Sequence, residues 1–130
     1  MVPLLVEACP SFAHKWEIHK KEYYGEENFL PYVALMEFCV HVVELYKAGR
    51  TQEFDEIFNV VERLHLDGDD YVREATTIGF LEGLQNRSEN IGNGKADFPK
   101  FLLPESAKWW EQLNLFWDGK ISYVGETIER

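Results

Sequence analysis

At 130 residues and 15.2 kDa the chain is long enough for one domain that buries about two-thirds of its unfolded surface. Hydrophobic residues make up 45% and aromatics 15%, which excludes intrinsic disorder, because there is enough apolar surface to offset chain entropy. With 23 acidic against 13 basic side chains the formal charge is −10, so phosphate backbones and anionic lipid are repelled and neither nucleic acid nor a membrane is expected as a partner.

The opening run Met1-Val2-Pro3-Leu4-Leu5-Val6-Glu7 lacks the basic start and the long apolar core of a secretory signal. No segment reaches membrane-spanning length, and a cytoplasmic protein is expected. Cys9 and Cys39 have no neighbouring Cys or His at ligand spacing, which argues against a disulfide framework or a zinc site. Cys39 falls in an apolar run and reads as a buried thiol.

Apolar residues recur at spacings of three and four, and Gly, Pro and Asx residues interrupt them regularly, which predicts a chain of helices. A short helix over 3–8 ends at Pro10-Ser11. Ser11 is placed to cap a second helix that carries Phe12, Trp16, His19 and Tyr23 on one face and stops at Gly25. Pro31 suits the first turn of a third helix, whose predicted apolar face is Tyr32, Leu35, Met36, Cys39, Val42, Val43 and Tyr46, closed by Ala48-Gly49. Thr51 offers a cap to a fourth, with Glu53 in its first turn and Phe54, Ile57, Phe58, Val61 and Leu64 at core spacing. The short 48–50 linker predicts that helices three and four form an antiparallel hairpin.

Asp69 or Asp70 can cap a fifth helix through Tyr71, Val72, Ala75, Ile78, Phe80 and Leu84. Gly79 and Gly83, one turn apart in it, predict close packing against a neighbouring helix. A polar, glycine-rich loop is expected over 87–99, and Pro104 opens a last helix bearing Ala107, Trp109, Trp110, Leu113, Phe116 and Trp117. The tail from Ile121 reads as coil or a short helix. The expected architecture is therefore all-α: a single domain over 1–130, a bundle of five or six helices built from antiparallel helical hairpins.

Charge is unevenly distributed. Residues 51–89 hold ten acids and three bases, a balance of −7, whereas the flanks are nearly neutral. Carboxylates are favoured at helix N-termini, and a helical pair needs a solvated face. The same distribution also suits docking to a basic protein, since a focused negative field speeds association and rejects wrong partners. Glu53, Asp55, Glu56, Asp67, Asp69, Asp70 and Glu74 are the candidate partner-binding residues, with Tyr71 and Phe54 as apolar anchors.

Reactive chemistry is sparse. Asp67-Gly68-Asp69-Asp70 fails as a calcium loop, because Tyr71, Val72 and Ile78 fill its fifth, sixth and twelfth positions. Gly92-Asn93-Gly94-Lys95 fails as a phosphate loop, because Glu89 replaces its first glycine and Ala96 its Ser or Thr. Glu37, His41, Glu62 and His65 form a weak metal-ligand candidate on two helices, lacking the second Glu-x-x-His that a bridged metal pair uses. No loop is visible that would expose and activate Ser11, Cys9 or another nucleophile beside a histidine.

The segment from Asp70 to Asn86, DYVREATTIGFLEGLQN, resembles the central segment of a family of small acidic helical bacterial proteins of uncharacterised function. Residues 33–49, ending Val43-Glu44-Leu45-Tyr46-Lys47-Ala48-Gly49, are similar to it as well. Such domains resemble the immunity proteins that accompany polymorphic and contact-dependent toxins. The resemblance covers about half the chain, rests on a packing pattern and transfers no catalytic residue. It implies a non-enzymatic, cofactor-free protein that neutralises a basic partner such as a cognate toxin nuclease domain. The alternatives are a small helical metal-dependent enzyme using the Glu/His set, and an adaptor that pairs through its tryptophan-bearing last helix.

Overall fold

A computed structural model describes residues 1–22, 30–88 and 97–126. Among the described residues there are six helices and no strand, as the periodicity predicts. Helix α1 is Val2–Ala8, α2 is Ala13–Glu22, α3 is Leu30–Lys47 and α4 is Phe54–Asp67. Helix α5 runs in three consecutive parts, Asp70–Glu74, Ala75–Leu81 and Glu82–Ser88, and α6 is Pro104–Trp117. Single 3-10 turns occupy Pro10–Phe12 and Phe98–Phe101. Tyr23, Gly25, the centre of the expected loop (89–96) and the end of the tail (127–130) lie outside the described residues.

Helix α4 shows the simplest relation of sequence to packing: Phe54, Ile57, Phe58, Val61 and Leu64, spaced three and four apart, are all buried. It lies against α1 on one side and α6 on the other. Helix α3 departs from its predicted face. Leu35, Cys39, Val42 and Val43 are buried, but Tyr32 and Met36 are exposed, and Ala34, Phe38, His41 and Leu45 take their place. The reason is that α3 is covered from more than one direction, by α5 along one flank and α1 on another. Gly49, whose φ of +69° suits glycine, links α3 to α4, yet the main backbone approaches of α3 are to α5.

The middle part of α5, Ala75–Leu81, is π-helical. Its wider turn brings adjacent residues inward together, and Ala75, Thr76, Thr77, Phe80 and Leu81 are all buried. The glycines perform the predicted close approach. A Cβ on Gly79 would sit 2.9 Å from Leu35 Cδ1, and one on Gly83 2.7 Å from Cys39 Sγ. Cys39 is fully buried, and burial pushes its thiol pKa up to about 12, as expected of an inert packing group.

The expected 87–99 loop differs at both ends. Helix α5 continues to Ser88, whose hydroxyl donates to the Leu84 carbonyl at 2.5 Å. At the far end Phe98 is completely buried against Tyr46, Phe54, Phe58 and Phe101. The Tyr46 hydroxyl donates to Asp97 and fixes the start of this turn. A single apolar residue beside a proline carries no periodic signal, which is why the sequence reads as loop.

On α6, Trp109, Trp110 and Leu113 are buried, Ala107 is exposed and Trp117 is 52% exposed. Residues 118–126 are turns and bends. The Gly125 N–H donates to Gln112 Oε1 at 3.1 Å, and a Cβ on Gly125, whose φ is +97°, would sit 3.0 Å from Trp109 Cζ3, tighter than ordinary contact.

Candidate functional site

The seven candidate partner-binding acids form two groups rather than one continuous face. Glu53, Asp55 and Glu56 stand at the N-terminus of α4, while Asp67, Asp69, Asp70 and Glu74 surround its C-terminus and the start of α5. A helix of this length separates them by about 20 Å. Between them Glu62 is buried. Phe54 is fully buried as well, so it anchors the core and not a partner, because its position continues the apolar stripe of α4.

At the α4–α5 junction Asp69 caps α5 by accepting from the Val72 N–H at 2.9 Å, whereas Asp67, Asp70 and Glu74 are exposed and form no ion pair among the described residues. Tyr71 is 49% exposed and meets Tyr32 edge to face, with ring centroids 6.3 Å apart. Burial, then the neighbouring Glu74 carboxylate, raise the pKa of the Tyr32 phenol. Next to this group lies a cleft of about 370 Å³. It is lined by Asp70, Arg73, Glu74, Thr77 and Ile78 of α5, Trp109 of α6 and Val124 of the tail. The i, i+3, i+4 spacing of Asp70, Arg73 and Glu74 is visible in the sequence. The other wall is not, since Trp109 and Val124 reach it only through the tertiary fold.

Ser11 does not cap α2. Its hydroxyl donates to Glu53 Oε1 at 2.5 Å and its backbone N–H to Glu53 Oε2 at 3.1 Å. This engagement leaves α4 without a side-chain cap from Glu53, and Thr51 supplies none. His41 Nε2 lies 2.8 Å from Ser11 Oγ, and Lys15 Nζ lies 3.0 Å from His41 Nδ1 and 3.3 Å from Glu44. An ammonium can only donate, so His41 accepts at Nδ1 and carries its proton on Nε2, which donates to Ser11. Burial and then the Lys15 charge hold the His41 pKa below its usual value, which agrees with the neutral ring. The protons thus run from Lys15 through His41 and Ser11 to Glu53. A nucleophilic serine needs the opposite order, with the imidazole accepting from the hydroxyl.

The Glu/His set separates into three unrelated pairings. Glu37 Oε2 lies 2.8 Å from His19 Nδ1, His41 belongs to the Ser11 chain, and Glu62 and His65 meet α6. Among the described residues no group of three or more His, Cys, Asp or Glu side chains is arranged to hold a metal ion. Helix α3 turns Glu37 and His41 toward α2 and the Pro10–Phe12 turn, while α4 turns Glu62 and His65 toward α6.

Glu62 has a structural role that its spacing does not announce. Its carboxylate accepts from the backbone N–H of Glu105 at 2.9 Å and of Ser106 at 2.8 Å, and from the Ser106 hydroxyl at 2.9 Å. A carboxylate from another helix therefore caps the N-terminus of α6, whose own Leu103 cannot. His65 extends the network. Since the Ser106 proton goes to Glu62, His65 Nδ1–H donates to Ser106 Oγ at 3.1 Å, and Nε2 accepts from Thr77 Oγ1 at 3.0 Å.

Burial lowers the His65 pKa from 6.5 to about 4 despite the nearby Glu62 charge. The folded protein holds this ring neutral while the unfolded chain protonates it, so its contribution is complete above pH 6.5 and lost as pH falls toward 4. Urea midpoints are expected to decline across that window, with a slope from this group of at most about 1.4 kcal/mol per pH unit. His65→Gln should flatten the profile there, and an unchanged slope in the variant would assign the acid sensitivity to other groups.

A helical bundle with a charged cleft between its fifth and sixth helices is the class of protein these features define. Residues 2–118 match the family described as Domain of unknown function (DUF7674), and the chain belongs to that family. No curated protein and no solved structure matches it. Among the described residues no helix is long and apolar enough to cross a membrane.

Proposed function

We propose that this protein is a non-enzymatic inhibitor, an immunity protein in character, that binds and neutralises a basic toxin domain through the α4–α5 junction. The observation that carries the reading is the group Asp67, Asp70 and Glu74, exposed and without ion-pair partners among the described residues, beside the half-exposed ring of Tyr71. Unpaired carboxylates supply long-range attraction, and an aromatic ring held by Tyr32 supplies apolar contact with little entropy to lose. Opposed to lysines or arginines that hold a substrate phosphate, such a surface would occlude an active site by charge. The direction of the hydrogen bonds around Ser11 also favours binding over catalysis.

The test is a triple charge reversal, Asp67→Lys, Asp70→Lys and Glu74→Lys, which spares the Asp69 cap. Against a basic nuclease toxin domain, affinity at low salt is expected to fall by about a hundredfold and its salt dependence to flatten. Unchanged affinity and salt slope in a variant with a native circular-dichroism spectrum would overturn the reading.

A further inference from the structure

We propose that the cleft between α5 and α6 receives one lysine or arginine side chain of the basic partner. This rests on the function proposed above and names the place where the contact is made. The cleft combines two chemistries that such a side chain carries in series. Ile78, Trp109 and Val124 offer apolar surface, and Asp70 and Glu74 offer carboxylates with no ion-pair partner among the described residues. A long basic side chain lays its methylene stem on apolar surface while its charged head reaches polar groups. The volume of about 370 Å³ is ample for one such side chain.

Arg73 lines the same cleft, one residue from Glu74 and three from Asp70, and also forms no ion pair among the described residues. Two carboxylates against one guanidinium leave the cleft at −1, with Asp67 and Asp69 adding to the field outside. An anionic occupant would pair with Arg73 but would face both carboxylates. A cationic one is attracted by both and opposed by Arg73 alone. Arg73 therefore weakens binding in proportion to its charge, and this sign is particular to a cationic occupant.

The experiment is a two-dimensional NMR titration of the full chain with a blocked hexalysine peptide. The expected result is saturable shifts at the Ile78 and Val124 methyls and the Trp109 indole N–H. Asp70→Asn with Glu74→Gln should raise Kd by about tenfold, and Arg73→Gln should lower it severalfold. Glu111→Gln with Asp118→Asn, which removes the same charge from exposed positions on α6 and just after it, should have the smaller effect. Binding that shifts only signals outside the cleft, or a weaker complex with Arg73→Gln, would overturn the cleft assignment and leave the basic-partner reading standing. No binding of hexalysine anywhere on the chain would overturn both.

Discussion

Replacing Glu62 by alanine is expected to destabilise the protein by about 3–5 kcal/mol, the range for breaking one side of a buried charged network. Glu62 is only 8% exposed, and its loss would leave the Ser106 N–H and hydroxyl buried without an acceptor and uncover the N-terminus of α6. The helix dipole adds to the loss, because the carboxylate sits where the partial positive charge of α6 is concentrated. Glu62→Gln keeps one amide oxygen as acceptor but turns two donors toward a donor-rich site, so it should recover only part of the deficit. Urea unfolding measures the total. Hydrogen exchange at the Glu105 and Ser106 amides locates it, and these should lose protection first. A loss below about 1 kcal/mol in Glu62→Ala would mean that the α6 terminus finds other acceptors and that this cross-helix cap contributes little.

Phe98→Ala is expected to cost a similar 3–5 kcal/mol, as for a large aromatic removed from a closed core. The ring is fully buried, 5.0 Å from Tyr46 by ring centroids, 6.3 Å from Phe54 and 6.5 Å from Phe58. Few of these neighbours can move to fill the space, since Phe54 and Phe58 are locked into α4 against α1 and α6. Calorimetry or urea unfolding reads the change. If Phe98 belonged to a surface loop, as its sequence context suggests, the variant would stay within about 0.5 kcal/mol of the parent.

The fold class, the extent of α4 and α6 and the glycine contacts of α5 are readable from the sequence because each depends on local spacing. Phe54 through Leu64 repeats at the helical period along a single buried stripe, and Asp69 sits where a cap is needed. What escapes such reading depends on distant partners. Glu62 and Ser106 are 44 residues apart, and Ser11 and Glu53 are 42 apart. Glu62 and Ser11 thus read as a weak metal-ligand candidate and a helix cap, when each joins two separate elements. The same holds for the candidate site. Asp67 through Glu74 stand out as a charge cluster, while the cleft beside them needs Trp109 and Val124 from the far end of the chain. The proposed apolar anchor Phe54 failed because charge clustering carries no information about which side of α4 faces the core.

The wide turn of α5 absorbs one residue more than an ordinary α-helix would hold over the same length. If the same residues of Ala75–Leu81 closed into ordinary α geometry, everything downstream would rotate by about one residue's step, about 100°, about the helix axis. Gly83 would swing away from Cys39, a bulkier residue would be driven into the contact, and the register between α5 and α3 would be lost without any change in helical content or hydrophobicity. A one-residue deletion there would instead be absorbed by an ordinary α turn that keeps Gly83 against Cys39, so the stretch tolerates losing a residue better than losing its wide turn.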